Sequence, residues 1–258
     1  PFFLSFSNLY RQFYRDQQEL KLEANVAEWR ERICKQAREE DLIELIYRTP
    51  LSLLQRLYSA VGEKKQGVPL PLRNNTFADY LNHYGCVEIA GYLEFARRCE
   101  PHVTRSSPDE WRAPQRDTEA MQRLIDEGRR HFLRAESHYV RLRYAYQLVR
   151  LAHYAGEYAQ AEELWDFLLP KVDRRKPSLI YYWTLSHLAG AQLKMGKKVD
   201  AAYHYMQVFL HCPSMRLTAA HSFRIDTDEQ WQAVYNRCWN DAERAALFAM
   251  RATQRNSK

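Results

Sequence analysis

The chain has 258 residues, 38 of them basic and 32 acidic, for a formal net charge of +6. A mean hydropathy of -0.62 and the lack of any apolar run near roughly 18 residues exclude a transmembrane helix. The near balance of charges reads as a solvated surface with at most a mild pull on anionic partners. Only 8 glycines stand against 17 tyrosines, which argues for helix over an all-β chain, whose turns need glycine.

The length suffices to bury a core, as one large domain or two small ones. Pro1 to Phe6 is apolar but too short and uncharged for a secretory signal. The chain reads as an excised piece of something longer, with these aromatics covering an apolar end of a helical stack. Asn25 is placed to cap a helix in which Val26, Trp29 and Ile33 form one stripe. A short apolar stripe follows from Glu40 to Ile46. Thr49-Pro50 is a start signal, a capping hydroxyl before proline at the first helical position. Leu51, Leu54, Leu57 and Tyr58 then share a face, and Gly62 to Pro71 reads as a loop.

Thr76 is placed to cap the next helix, with Phe77, Tyr80 and Leu81 inward and Gly85 as the stop. Val87 to Cys99 is amphipathic and is expected to end before Pro101. Residues 102–115, with Pro108 and Pro114, are the best boundary in the chain. They separate an irregular helical region, 1–115, from a repeat region, 116–258, the two forming one continuous stack. A helix from Thr118 to about Leu133 follows. Ser137 opens a helical pair that turns between Ala155 and Tyr158 and ends near Leu169. A break around Pro177 leads to a second pair, Leu179 to Met195 and Lys198 to Leu210, closed by Pro213. Thr227 or Asp228 starts a helix with Trp231, Val234 and Cys238. Asn240 and Glu243 resemble a capping box before Ala245, Leu247 and Phe248.

The two pairs carry a common arrangement. Gly156-Glu157-Tyr158-Ala159-Gln160-Ala161 recurs, loosely, as Gly196-Lys197-Lys198-Val199-Asp200-Ala201. Each glycine ends a helix where positive φ is easy. Ala161 and Ala201 let the helices of a pair close, and Trp165 and Tyr205 fill the space to the next pair. Such a hairpin cannot bury its apolar surface alone, so neighbours must stack on it.

These residues resemble the tetratricopeptide repeat. The first copy supplies Leu148, Gly156, Tyr158, Ala161 and Trp165. The second supplies Leu188, Gly196, Ala201, Tyr205 and the closing Pro213. Lys198 stands where the pattern prefers an aromatic, and Val149 where it prefers a small residue. The spacing from Gly156 to Gly196 exceeds the ideal period of about 34 residues, the extra length falling between Pro170 and Ser178. The best copies span 137–172 and 178–213, and Gly85-Cys86-Val87 with Ala90 is a weaker third. The stretches Tyr144 to Tyr158 and Ser222 to Trp231 are also similar to helical-repeat regions of large, mostly uncharacterised bacterial proteins. Some of those belong to the cell envelope, which favours periplasm over cytoplasm.

The resemblance implies an all-α fold: a right-handed, TPR-like α-solenoid of stacked antiparallel helical hairpins. It also implies an inner groove lined by one face of each first helix. Carried onto this chain, that face offers Arg143, Tyr146, Arg150, His153 and Tyr154 from the first pair, and Trp183, His187 and Lys194 from the second. This basic and aromatic set suits an acidic peptide or partner protein. The carboxylate-clamp subtype needs Lys and Asn where this chain has Tyr146 and Arg150.

Catalytic signatures are missing from the sequence. No glycine-rich phosphate loop, Gly-x-Ser-x-Gly elbow or His-Glu-x-x-His occurs. His131 and His138, and His204 and His211, are too widely spaced for ligation within one helix. The five cysteines, Cys34, Cys86, Cys99, Cys212 and Cys238, include no Cys-x-x-Cys and read as small core residues. The expectation is a non-catalytic protein-protein interaction scaffold with no metal and no cofactor. Its rivals are an enzyme whose site is assembled from loops between the two halves, and a basic solenoid binding nucleic acid, favoured only by a pI of 9.0.

Overall fold

The protein's structure, a computed structural model, describes residues 6–63, 67–103, 116–173 and 177–255, and within them the side chains of 17–254. It is all-helical: helix accounts for 81%, and no strand occurs among the described residues. The elements in chain order are α1 (Phe6–Arg32), α2 (Glu39–Ile43) running into a π-helical turn (Glu44–Arg48), α3 (Leu51–Glu63), a 3-10 turn (Leu70–Leu72), α4 (Thr76–His83) and α5 (Val87–Val103). Then come α6 (Thr118–Arg134), α7 (His138–Ala155), α8 (Tyr158–Leu168) with a 3-10 turn (Leu169–Lys171), α9 (Leu179–Lys194) and α10 (Lys198–His211). A 3-10 turn (Pro213–Met215), α11 (Arg216–Ser222), α12 (Asp228–Asn236) and α13 (Asp241–Arg255) complete the chain.

Three turns are built alike. Gly85, Gly156 and Gly196 have φ of 63°, 87° and 78°. In each, the glycine N–H bonds the carbonyl three residues back, and the next N–H bonds the carbonyl five back from itself. That is the Schellman arrangement, which satisfies carbonyls left open at a helix end. A Cβ at these positions would force an L-residue into the left-handed region. Ala161 and Ala201 are buried at 0% and 1%, where α8 meets α7 and α10 meets α9.

Contacts join α3 to α5, α5 to α7 and α7 to α9, so these helices follow one another in a row. Gly128 lets α6 settle on them: a Cβ there would stand 2.5 Å from Leu148 Cδ2 and 2.7 Å from Phe95 Cζ. Gly190 does the same for α7 and α9. Its Cβ would meet His153 Cε1 at 2.3 Å. One buried cluster runs from Val26 to Ala191, and a second from Leu185 to Met250.

Several local expectations are corrected. Asn25 lies inside α1 and caps nothing; its side chain bonds Tyr47 and Arg143 instead. The Thr49 hydroxyl turns back to the Glu44 carbonyl, while the Pro50 carbonyl receives the first bonds of α3. Asn75, not Thr76, caps α4, accepting from Phe77 N and Ala78 N, because the Thr76 hydroxyl is engaged by Asp41. Helix α5 runs through Pro101 to Val103, so proline sits in its last turn. The capping residue of α13 is Asn240, but Glu243 reaches back to Trp239 N and not to Asn240 N. Helix α11 was not anticipated; with only Ala219 buried it has no stripe to read. The apolar start, Pro1 to Ser5, and the boundary segment from residue 104 to 115 lie outside the described residues.

Candidate functional site

Helix α1 decides which groove residues stay available. Lys21, Asn25, Glu28, Trp29 and Arg32 recur at helical spacing and share one side of it. Trp29 is fully buried, with ring centroids 6.0 Å from Phe77, 6.0 Å from Tyr92 and 5.7 Å from Tyr139. Glu28 accepts from Ser178 Oγ at 2.5 Å and Leu179 N at 2.9 Å, and so holds the start of α9. A carboxylate is favoured there by the open N–H groups of a helix N-terminus.

Arg143 belongs to this contact and not to an open groove. It is 3% exposed, its guanidinium lies 4.0 Å from the Trp29 ring and 4.7 Å from the Tyr139 ring, and it donates to Asn25 Oδ1 at 2.8 Å and to the Tyr139 hydroxyl. Its role as a groove cation is therefore corrected: α1 covers it. Sequence spacing could place Arg143 and Arg150 on one face, but not say what lay on top.

One turn further on, five of the expected residues do meet. The Arg150 guanidinium lies 5.7 Å from the Tyr146 ring and 5.9 Å from the Tyr154 ring. His187 of α9 lies 5.8 Å from each of those rings and 5.3 Å from His153. His153 Nδ1 donates to the His187 carbonyl at 2.7 Å, and its ring rests over Gly190. Trp183 joins at the edge, its ring 5.9 Å from Tyr146. Lys194 is exposed at the C-terminal end of α9. Of the residues expected to build the repeats, Leu148, Leu188 and Tyr205 are buried, and Trp165 meets Tyr181 at 5.4 Å. Tyr158 packs edge-on to His153 at 6.0 Å, and Pro213 is exposed.

Two residues of the cluster were not anticipated. Lys21 comes from α1, with its ammonium 3.5 Å from Thr218 Oγ1. The Arg116 guanidinium lies 5.8 Å from the Tyr154 ring and donates to the Tyr154 carbonyl. Burial holds the His187 imidazole well below its usual pKa, and His153, Arg150 and Lys21 all push the same way. Burial also lowers the Lys21 ammonium; Arg150 adds to the effect and Cys212 opposes it. No carboxylate figures among these influences. Arg150 itself makes no hydrogen bond or ion pair with any described residue, only the two ring contacts.

A second polar cluster differs in kind. Gln55, Tyr58, Glu94, Arg98, Glu127 and His131 line a cleft of about 370 Å³. Arg98 donates to both oxygens of Glu127, one at 2.8 Å, and its Nε lies 2.9 Å from Glu94. Arg98 beside it keeps the Glu127 carboxyl below its usual range. Both carboxylates are thus occupied by one cation, a closed ion-pair network and not a free acid-base pair. Among the described residues no group of His, Cys, Asp or Glu is placed to hold a metal ion, and no helix is long and apolar enough to cross a membrane. No protein-family model, no curated protein and no solved structure matches the chain.

Proposed function

We propose that this chain is a non-catalytic interaction scaffold, a TPR-like stack of helical hairpins that holds an acidic segment of a partner protein on the α7–α9 face. The observation that carries the reading is Arg150: a cation resting on two tyrosine rings, with no acceptor among the described residues. Guanidinium groups in such settings bind carboxylates by charge-assisted, often paired, hydrogen bonds. The flanking rings add contact area at low entropic cost.

The hairpin reading draws on the three matching glycine turns and on the α5–α7–α9 row. Because α1 covers Arg143, the proposed contact is shorter than the full groove. It comprises Tyr146, Arg150, Tyr154, Trp183, His187 and Lys194, with Lys21 and Arg116 at its edges. The test is fluorescence anisotropy with a labelled peptide of eight glutamates. Wild type should bind it, and more weakly as salt is added. Arg150→Glu should lower affinity at least tenfold. Equal binding by wild type and Arg150→Glu would remove the reading.

A further inference from the structure

Helix α13 is apolar on more sides than the fold covers. Every residue from Ala245 to Met250 is apolar, and such a run reaches all sides of a helix. Ala246, Leu247 and Met250 are buried where α13 meets α10 and α11. Ala245, Phe248, Ala249 and Ala252 face outward, and Phe248 is 56% exposed. Single exposed apolar residues are ordinary. These form one continuous strip, and a helix apolar all round belongs in an interior. The Phe248 ring is also held in place, edge-on to Trp231 at 5.2 Å and to Tyr235 at 6.2 Å. Arg251 braces Trp231 at 4.2 Å and bonds Asp228. A fixed, exposed aromatic framed by arginine is the composition found at the centre of protein interfaces, and it loses little entropy on contact.

The charges along this strip say what fits it. Asp241, Ala245, Phe248, Ala252 and Arg255 follow one another in alternating steps of four and three, the seam of a helix pair. Asp241, in the first turn, is 97% exposed and bonds Arg244 of its own helix; Arg255 is the last residue of α13. The line therefore reads acid, small, large, small, base. Half a turn about Phe248 lays Asp241 against Arg255 of a second copy, Ala245 against Ala252, and one Phe248 beside the other. The strip is complementary to itself run backwards, and the antiparallel order also opposes the two helix dipoles favourably.

We propose that the outer face of α13 joins two copies of this chain through an isologous, antiparallel helix pair centred on Phe248. The alanines let the two axes approach to about 8–10 Å, and each Phe248 ring is covered by Ala245 and Ala252 of the second copy. This surface is distinct from the α7–α9 face and does not depend on what that face binds.

Sedimentation equilibrium of the full chain tests this. Wild type should show a monomer–dimer equilibrium with Kd in the micromolar range. Phe248→Glu should weaken it by at least about a hundredfold, since each dimer loses the ring twice. Asp241→Arg and Arg255→Glu should each weaken it about tenfold, because like charges then face each other. The double variant Asp241→Arg/Arg255→Glu should return to within about threefold of wild type, which separates the contact from any loss of fold in the single variants. Leu133→Glu, at an exposed apolar position on α6, should change nothing. A wild type that stays monomeric up to millimolar concentration overturns the proposal. So does association that survives Phe248→Glu, which would lie on another face. Charge reversals without effect, or without mutual rescue, overturn the antiparallel pairing.

Discussion

Gly190 and His153 offer the sharpest test of how α7 and α9 meet. A Cβ added at Gly190 would stand 2.3 Å from His153 Cε1, 3.1 Å from Nδ1 and 3.3 Å from Nε2. The ring has little room to retreat. Its Nδ1 is tied to the His187 carbonyl at 2.7 Å, and Tyr158 lies edge-on to it. Overpacking of this kind costs about 1–3 kcal/mol. The same substitution would gain up to about 1 kcal/mol in helix propensity. Gly190→Ala should therefore destabilise by about 1–2 kcal/mol. In a His153→Ala background the clash is gone, and Gly190→Ala should become neutral or stabilising by up to about 1 kcal/mol. Urea unfolding of the four proteins gives the coupling directly, and it should reach about 2 kcal/mol. Additive effects, within about 0.5 kcal/mol as for independent sites, would refute the contact and with it the side-by-side placement of α7 and α9.

Other predictions follow from the same packing. Arg143→Ala should cost about 2–5 kcal/mol, because it leaves a cavity against Trp29 and takes the hydrogen-bond donor from buried Asn25 and Tyr139, whereas Arg150→Ala should cost under about 1 kcal/mol; comparable losses in urea would contradict the division of labour between them. Gly156→Ala and Gly196→Ala should each cost about 1–2 kcal/mol from left-handed strain, while Gly62→Ala, in open space inside α3, should be neutral or stabilising. His204 donates from Nδ1 to Gln192 Oε1 at 2.7 Å, and burial depresses its pKa from 6.5 to about 4. The fold thus prefers neutral imidazole: this stability is complete above the unfolded pKa of about 6.5 and is lost as pH falls toward 4, by about 2 kcal/mol at pH 5. The difference in urea midpoint between wild type and His204→Gln, measured at neutral pH and near pH 5, checks the sign; a wild type that gained on His204→Gln with acid would contradict it.

What was legible in the sequence was local. Helical periodicity and the two Gly-x-x-x-x-Ala turns placed α7 through α10 within a residue or two, since stripe and cap lie inside each segment. Ser137 and Thr227 cap their helices as their hydroxyls imply. A polar residue ahead of an apolar stripe looks the same whether it caps a helix or, like Asn25, sits mid-helix facing a buried arginine. That arginine, Arg143, is 118 positions away, and no periodicity connects the two. Lys21 is invisible for the same reason: its contact with Thr218 exists only once α1 has docked. Arg150, by contrast, could be placed beside Tyr146 and Tyr154 from i, i+4 spacing alone.

Where an acidic segment lands decides the proposed function. Backbone amide NMR of the labelled protein, titrated with the eight-glutamate peptide, reads that location without presupposing the residues. Perturbations should be confined to α7 from Tyr146 to Tyr154, to α9 from Trp183 to Lys194, and to α1 near Lys21. Perturbations centred on the Glu94–Glu127 cleft or on α12 and α13, or none at millimolar peptide, would contradict it.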